Sequence, residues 1–421
     1  MDRAGSGTSG RGHWGITVVS DLHLSRHCDP QHAGHDFHEA GFARFLDDVR
    51  RRAAERRSSW RLVILGDLVD LPDASAPAKA ITELTRVASG HPRLFEAVAA
   101  FLAAGLQVDL VAGNHDVALL RSAVRARLTE LIAAGDGDGG MRGSMAFHPW
   151  IFHLPGVLYA EHGSQYHDIS AVPALLGLDG AEDRQPGGQP LIAELERYRG
   201  QLRDRRIRAS EAAALLGVGQ ESLRFAAVLA RQTLALSGRE QAHRREHYHG
   251  LTLRRYAAQI GIAHDALVGI DDLTAASAWS IGARLTRTWV VGPCVRAVRN
   301  LPVGRGRSRD PLWWQPADRA AYLRRAWPAV HRLLHAAGQA VPFYVFGHTH
   351  CAETLSLPDG TARYLNAGTW QMSRQRTASP PGTFVEITAG PGAVEPVATL
   401  LRWNDEAGRL EAHPPERSAN A

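Results

Sequence analysis

Residues Val63–Asp70 read VILGDLVD, an apolar run that breaks at a glycine and then supplies two aspartates three positions apart. A continuous apolar run rich in β-branched residues predicts a strand that is buried on both faces of a sheet. In open α/β sheets, ligand-binding groups collect just beyond the carboxyl ends of the strands. We therefore predict that Asp67 lies at the edge of a central sheet, where it is placed to bind a ligand.

Strand-like runs followed by polar clusters recur along the chain. Trp14–Ser20 and Leu106–Ala112 are similar apolar runs, and each is followed by a predicted helix, at about 37–57 and 119–134. A repeated order of strand and helix is typical of a layered α/β sheet. The strand signal returns at Val341–Phe346, after a long stretch of different character.

That intervening stretch, residues 169–340, is predicted to be a helical insert that acts as a cap or lid. It is rich in arginine and alanine, and it has no strand-like run of comparable strength. The sequence therefore predicts a core made of residues 14–168 and 341–403, with loose tails at 1–13 and 404–421.

The composition is that of an ordinary globular protein. Of 421 residues, 44% are hydrophobic and 22% are charged, and 48 basic residues against 43 acidic residues give a formal charge of +5. This mild excess singles out no nucleic-acid partner. Three widely spaced cysteines indicate neither a disulfide framework nor a thiolate zinc site, and they favour a reducing compartment. With no apolar segment of spanning length and no secretory signal in view, we expect a cytoplasmic protein.

Five polar clusters stand at predicted strand ends, and together they hold seven candidate metal ligands. Carboxylate, amide and imidazole groups suit zinc, manganese or iron, whereas the lack of cysteine in the set disfavours a closed structural zinc site. Seven ligands are too many for one tetrahedral ion and suit two ions that share a bridging carboxylate. The candidates are Asp21, His23, Asp67, Asn114, His162, His348 and His350.

Two further residues are candidates for catalysis. Two ions roughly 3.5–4 Å apart can hold an anionic ester and stabilise the attacking and leaving oxygens, which points to phosphoester hydrolysis. His115, next to Asn114, is suited to stabilise or protonate the leaving oxygen. Asp70 is placed to orient that imidazole and to keep it protonated. We expect from the sequence that Asp70→Asn spares metal binding and slows turnover.

The order Asp-X-His, Gly-Asp-X-X-Asp, Gly-Asn-His-Asp, His and Gly-His-X-His resembles the calcineurin-like metallophosphoesterase superfamily. The likeness covers residues 14–167 and 341–403 and leaves the insert aside. It implies an α/β (α+β) fold, namely a four-layer αββα sandwich of two mixed β-sheets, here with a large helical insertion. It also implies hydrolysis of phosphoester or pyrophosphate bonds by a metal-bridging hydroxide at a dinuclear centre of Mn, Fe or Zn.

The resemblance also implies a role for each candidate residue. His115 acts at the leaving group. One ion is held by Asp21, His23, Asp67 and His350, and the other is held by Asp67, Asn114, His162 and His348.

The sequence departs from two branches of the superfamily. Leu71 stands where the Ser/Thr phosphatases have an arginine that grips phosphate. Phosphate must then be held by the ions, by His115 or by an arginine of the insert. The stretch around His162 is similar to that of the UDP-diacylglucosamine pyrophosphatases, which usually carry arginine at the position of His115. A small or lipid-linked phosphoester is the substrate that we expect.

Two other functions stay open at this point. A recombination-type DNA nuclease is one, because Ser20–Leu24 and Gly66–Asp70 also resemble that branch. A non-catalytic metal-binding scaffold, whose insert recruits partners, is the other. The basic, aromatic-containing stretch 279–309 leaves open a peripheral contact with a membrane or with nucleic acid.

Overall fold

The structure is a computed structural model, and it describes the core and parts of the insert. The basic stretch 279–309 lies outside the described residues, as do 1–11 and 414–421 of the two predicted tails. The described residues are 12–25, 35–71, 76–135, 142–167, 170–172, 175–177, 224, 227, 251–274, 320–373, 380–391 and 395–413.

Strands and helices alternate in the first part of the chain, as the sequence predicts. The strands are β1 (Trp14–Val19), β2 (His35–Phe37), β3 (Ser59–Leu65), β4 (Gln107–Val111), β5 (Met145–His148), β6 (Ile151–Leu154), β7 (Leu158–Glu161), β8 (Phe343–Phe346), β9 (Glu353–Ser356), β10 (Arg363–Asn366), β11 (Gln371–Ser373), β12 (Thr383–Ala389), β13 (Val397–Asn404) and β14 (Arg409–Ala412). The α-helices are α1 (Glu39–Glu55), α2 (Pro77–Gly90), α3 (Pro92–Ala103), α4 (Ser122–Ala134), α5 (Leu251–Ile260), α6 (His264–Asp272) and α7 (Ala321–Ala336).

The described residues fall into two compact units. The first contains those within 1–73, 77–162 and 341–421, and the second contains those within 74–76 and 163–340. The described elements of the second unit are helical, and α6 contacts both α5 and α7. Within the described ranges, no helix is long and apolar enough to cross a bilayer.

The first unit is an α/β sandwich of two mixed sheets, which confirms the predicted fold class. The larger sheet has the order β14-β13-β12-β1-β3-β4-β5, in which β1, β3, β4 and β5 run parallel and β12 to β14 pair antiparallel. The smaller sheet has the order β6-β7-β8-β10-β9, in which β7, β8 and β10 run parallel. Parallel strands end on one side, so each sheet gathers its strand-end loops along one edge.

The hydrophobic core lies between the two sheets. Alternate residues of the larger sheet, such as Val63 and Leu65 of β3, pack against residues of the smaller sheet, such as Leu158 and Val345. The intervening residues of β3, Leu62 and Ile64, are also buried. Burial on both faces explains why the opening stretch is continuously apolar rather than alternating.

One predicted strand is in fact two. The sequence predicts a single strand over Met145–Leu154, paired antiparallel with Val157–Glu161. In the structure the run breaks after His148, so that β5 joins β4 in the larger sheet while β6 pairs with β7 in the smaller one. Pro149 stands at the break, and proline cannot donate a hydrogen bond to continue a ladder.

Two segments predicted as loop or tail contain strands. Within the polar stretch 27–38, which the sequence predicts as a loop, His35–Phe37 form β2, which pairs antiparallel with β11. Part of the predicted C-terminal tail forms β14, which pairs antiparallel with β13. The turn between β13 and β14 is set by Asn404, whose Oδ1 accepts a hydrogen bond from the Ala407 N–H at 3.0 Å. The hairpin therefore extends the core past the boundary predicted at residue 403.

Helix α1 covers the outer face of the larger sheet through aromatic packing. Its buried residues include Phe42, Phe45, Leu46 and Val49, which recur at helical spacing. The ring of Phe45 is fully buried, and its centroid lies 4.8 Å from that of Trp370 and 4.7 Å from that of Phe384.

Replacing Phe45 with alanine should remove this packing and leave a cavity. We expect Phe45→Ala to lower the free energy of unfolding by about 3–5 kcal/mol, measured by urea denaturation followed by circular dichroism. Val397→Ala is the control, because Val397 is 61% exposed in β13, and it should cost less than about 1 kcal/mol. Equal effects of the two substitutions would contradict this account of the core.

Candidate metal centre

The structure brings all seven predicted ligands to one edge of the first unit, where the strand-end loops of both sheets meet. The residues come from loops at the carboxyl ends of five strands, so none of them lies within a strand. They are Asp21 and His23 after β1, Asp67 after β3, Asn114 after β4, His162 after β7, and His348 and His350 after β8.

Asp21, His23 and His350 form one group of potential ligands. The Nε2 atoms of His23 and His350 are 3.2 Å apart, and the Nε2 of His350 is 3.2 Å from Asp21 Oδ1. The His23 Nε2 lies 3.6 Å from the same carboxylate oxygen. Three atoms with lone pairs therefore face a common point.

A second group surrounds His162. Its Nε2 lies 3.2 Å from Asp67 Oδ2, 3.2 Å from His348 Nδ1 and 3.3 Å from Asn114 Oδ1. The other ring nitrogen, Nδ1, is 2.8 Å from the carbonyl oxygen of Leu65 and donates a hydrogen bond to it. That bond fixes the tautomer and leaves Nε2 to act as a ligand.

These distances fit a metal ion at each group. Ligands about 2.0–2.1 Å from a tetrahedral ion lie about 3.3 Å from one another, which matches the spacing in both groups. In addition, Asp21 Oδ1 is buried and accepts no hydrogen bond from the residues that the structure describes. A buried carboxylate oxygen without a donor is costly unless a cation is bound to it, so the donor set is that of a cation site.

Asp67 lies between the two groups, as a bridging ligand must. Its Oδ2 is 3.6 Å from His23 Nε2 and 3.2 Å from His162 Nε2. Its Oδ1 instead accepts a hydrogen bond from the backbone N–H of His115 at 2.9 Å. Asp21 also belongs to both groups of potential ligands, so two carboxylates lie between the two positions where ions would bind.

The backbone at the site is unusual, because five of the seven residues adopt the left-handed conformation. Only a few per cent of residues other than glycine have positive φ, and each costs of the order of 1–3 kcal/mol. In the described part of the chain, one other residue of this kind occurs, Arg57 after α1. The five are Asp21 (φ 55°), His23 (50°), Asp67 (52°), His348 (66°) and His350 (57°).

Backbone hydrogen bonds hold the first two loops in this conformation. The N–H of Asp21 donates to the Gly66 carbonyl at 3.3 Å, and the N–H of His23 donates to the Asp67 carbonyl at 2.9 Å. The parallel pairing of β1 and β3 thus continues past the ends of both strands. Because the two loops are joined in this way, the side chains of Asp21, His23 and Asp67 are held in a fixed relation.

Two glycines are required by the close approach of these loops. A Cβ atom on Gly113 would lie 2.2 Å from Asp67 Oδ1, and one on Gly347 would lie 1.9 Å from Ser20 Oγ. Both contacts are shorter than any real Cβ contact. Only glycine, which has no Cβ atom, therefore fits at the positions that precede Asn114 and His348.

Asp116 has a positioning role that we did not predict from the sequence. It is fully buried, and its two carboxylate oxygens accept hydrogen bonds from the backbone N–H groups of Leu68 and Gly113, each at 2.7 Å. It thereby joins the loop of Asp67 to the loop of Asn114 and His115. Burial and the nearby Asp67 charge raise the pKa of Asp116 to about 6.

Asp70 contacts two histidines through a single oxygen. Its Oδ1 is 2.9 Å from the Nδ1 of His115, as the predicted orienting role requires, and 2.9 Å from the Nδ1 of His23. The contact with His23 was not predicted. It holds His23 with its Nε2 directed at the first group, which is the usual arrangement of a carboxylate behind a histidine ligand.

Charges at the site compensate one another. Burial lowers the pKa of His162, but the charges of Asp67 and Asp21 outweigh burial and raise it to about 9. Partial removal from solvent lowers the pKa of His115, whose side chain is 48% exposed, yet the Asp67 charge and the Asp70 hydrogen bond raise it overall. In the metal-free protein His162 therefore carries a proton near neutral pH.

The comparisons with known proteins add little to this geometry. The sequence matches no protein-family model and no curated protein. The chain is similar to phosphopantetheinyl hydrolase (PptH) from Mycobacterium tuberculosis, with 12% identity and a TM-score of 0.24 over 89% of this chain and 100% of that one. It is also similar to a candidate 5'-nucleotidase from Staphylococcus aureus, with 10% identity and a TM-score of 0.30 over 96% of this chain and 54% of that one. TM-scores this low establish no shared fold, so the site has to be interpreted from its own residues.

The double contact of Asp70 changes what is expected of Asp70→Asn. Asparagine lacks the charge that holds both imidazoles, so we expect metal affinity to fall about 10- to 100-fold, measured by competition with a chelator. Asp47→Asn is the matched control, because Asp47 is 61% exposed on α1 and pairs with Arg50. Wild-type affinity in Asp70→Asn would show that the contact with His23 is dispensable.

Metal binding should release protons and strengthen with pH. Because the pKa of His162 is raised to about 9, an ion at neutral pH must displace its proton. Affinity should then rise about tenfold per pH unit for each proton displaced, up to about pH 9. Chelator competition at pH 6, 7 and 8 measures the slope. His148→Gln, which alters a histidine paired with Asp109 outside the cluster, should leave the slope unchanged, and a pH-independent affinity would refute the expectation.

Proposed function

We propose that this chain is a metal-dependent phosphoester hydrolase with a dinuclear centre, of the calcineurin-like kind that its motifs resemble. The observation that carries the proposal is the pair of ligand groups that share Asp21, with Asp67 Oδ2 3.6 Å from His23 Nε2 of one group and 3.2 Å from His162 Nε2 of the other. Spacing of ligand atoms, a buried carboxylate oxygen without a donor, and strained ligand residues support it independently. We assign one ion to Asp21, His23, Asp67 and His350, and the other to Asp67, Asn114, His162 and His348.

The ligand set supports Mn, Fe or Zn, and two such ions supply Lewis-acid activation of a phosphate ester and of water when bound. The side chains of the protein prepare the site for that chemistry. Asp67 Oδ2 and Asp21 Oδ1 present negative charge at the centre. The Leu65 carbonyl holds the Nδ1 of His162, and Asp70 holds the Nδ1 of His23. In both histidines Nε2 is therefore the nitrogen that faces the centre.

His115 is the proposed proton donor to the leaving oxygen. Its side chain is 48% exposed, whereas the proposed ligands around it are buried or half-buried. Because its Nδ1 donates to Asp70, its Nε2 is the atom available to a substrate. Protonation at Nε2 is favoured by the raised pKa, so a leaving alkoxide receives its proton from this atom.

The substrate that we propose is a small or lipid-linked phosphoester or pyrophosphate. This assignment is supported by the sequence around His162 and by the size of the insert at 169–340, to which we assign the role of a cap or lid. The experiment must separate two alternatives. One is a recombination-type nuclease that hydrolyses DNA, and the other is a non-catalytic scaffold.

Turnover with added Mn²⁺ tests the proposal. p-Nitrophenyl phosphate, its bis ester, nucleotides and sugar nucleotides serve as substrates, with duplex DNA as a further arm. Asp67→Ala should lose both bound metal and activity. His115→Ala should keep its metal and lower kcat by about 10²–10⁴-fold. The control is Asp109→Asn, since Asp109 is a buried carboxylate that pairs with Arg61 and His148 outside the cluster.

The possible outcomes distinguish the three functions. Metal-dependent hydrolysis of small esters that is lost in Asp67→Ala supports the proposal. Bound metal without turnover in any arm favours the scaffold and contradicts it. Cleavage of DNA but of no small ester, together with an affinity for DNA that falls steeply as the salt concentration rises, favours the nuclease.

A further inference from the structure

The segment Asn366–Trp370 contributes no predicted ligand, yet it lies against two of the loops that do. It begins at the last residue of β10 in the smaller sheet, and its polar residues Asn366 and Thr369 are fully buried. Buried polar side chains need hydrogen-bond partners, and the partners of both residues include backbone carbonyl groups of the ligand loops.

Thr369 holds the carbonyl group of Asp21. The Thr369 Oγ1 donates a hydrogen bond to the Asp21 carbonyl oxygen at 2.8 Å, and the N–H of Trp370 donates to the same oxygen at 3.3 Å. On the other side of Asp21, its N–H donates to the Gly66 carbonyl. Both peptide planes that flank Asp21 are therefore fixed, which sets the left-handed φ of 55°.

Asn366 holds the peptide group that joins Gly347 to His348. The Asn366 Nδ2 donates to the Gly347 carbonyl oxygen at 2.9 Å, while the His348 N–H at the other end of the same peptide donates to Asp21 Oδ2 at 2.8 Å. The Asn366 Oδ1 in turn accepts from the Gly368 N–H at 3.0 Å. On the other side of His348, the N–H of Thr349 donates to the Gly347 carbonyl at 2.8 Å. The peptide planes that flank His348 are therefore both held, which sets its φ of 66°.

From these contacts we infer that Asn366 and Thr369 are positioning residues of the metal centre. They act through backbone groups of Asp21 and of the loop of His348, and they hold both ligand residues in the left-handed conformation that directs their side chains to the ions. This inference rests on the proposed function only in that the site must bind metal. Replacement of either residue should therefore lower the metal affinity to a greater extent than it lowers the thermal stability of the metal-free protein.

Two buried threonines provide a matched test. Thr369 and Thr383 are both fully buried, and valine has nearly the same shape as threonine. The Thr383 Oγ1, which packs against Gly368, has no hydrogen-bond partner among the described residues. Thr383→Val thus removes a hydroxyl from the same region without removing a bond, whereas Thr369→Val removes the donor to Asp21.

Metal affinity is measured with Co²⁺ by its visible absorption, in the absence of substrate. We expect Thr369→Val to bind Co²⁺ about 10- to 100-fold more weakly than wild type, and Thr383→Val to bind as wild type does. Thr369→Ser retains the hydroxyl and should recover most of the affinity. Thermal unfolding of the metal-free variants, recorded in parallel, separates loss of affinity from loss of stability.

Equal Co²⁺ affinity in Thr369→Val and Thr383→Val would overturn the inference. If Thr369→Val does not fold, Asn366→Ala decides instead, because it removes the donor to Gly347 and keeps Thr369, and wild-type affinity there would also overturn it. Absence of Co²⁺ binding by the wild-type protein would overturn both this inference and the proposed function. A third outcome is a wild type that binds Co²⁺ but hydrolyses no substrate, with weaker Co²⁺ binding in Thr369→Val. This outcome would support the inference and contradict the proposed function.

Discussion

Left-handed backbone at the strand ends is the constraint on which the rest of the site depends. A strand that simply continued would carry successive side chains to opposite faces of its sheet, away from a shared point beyond its end. Positive φ at Asp21, His23, Asp67, His348 and His350 turns these side chains back toward one another. At about 1–3 kcal/mol each, five such residues together cost as much as a typical domain gains by folding, about 5–15 kcal/mol. The hydrogen bonds between the loops, and those from Asp116, Asn366 and Thr369, are what keep this conformation populated.

Electrostatic balance is the second requirement of the centre. Asp21 and Asp67 are almost completely buried, and buried carboxylates without compensation are strongly destabilising. In the metal-free protein, protonated histidines supply the compensation, which is why the pKa of His162 is raised and that of Asp67 is lowered. Bound cations would replace those protons. The same residues thus compensate one another's charges in the metal-free state and would bind cations in the metal-bound state. The exchange of protons for cations depends on pH.

That the candidate ligands lie together could be predicted from the sequence, whereas the residues that support them could not. Asp21, Asp67 and the histidines could be identified because carboxylate and imidazole groups at strand ends have few other reasons to occur together. The contact between Asp70 and His23 could not, since it depends on how two loops pack. Asn366 and Thr369 gave no signal at all, because polar uncharged residues after a strand are also ordinary turn formers. At the level of the fold, apolar runs predicted β1, β3, β4 and β8, whereas β2, β11 and β14 are short and gain their strand character from tertiary pairing.

The two parallel strands that flank the insert, β7 and β8, are direct neighbours in the smaller sheet, with Leu158 opposite Phe343. The whole of the insert is therefore a crossover connection, and the sheet holds its two ends close together. Since the entropic cost of closing a connection grows only slowly with its length, evolution can lengthen or replace this segment without moving His162 or His348. The same arrangement imposes an order on biosynthesis. The contact between these two histidines joins residues 186 positions apart, so a chain emerging from the ribosome can assemble this cluster only after the whole insert has been made.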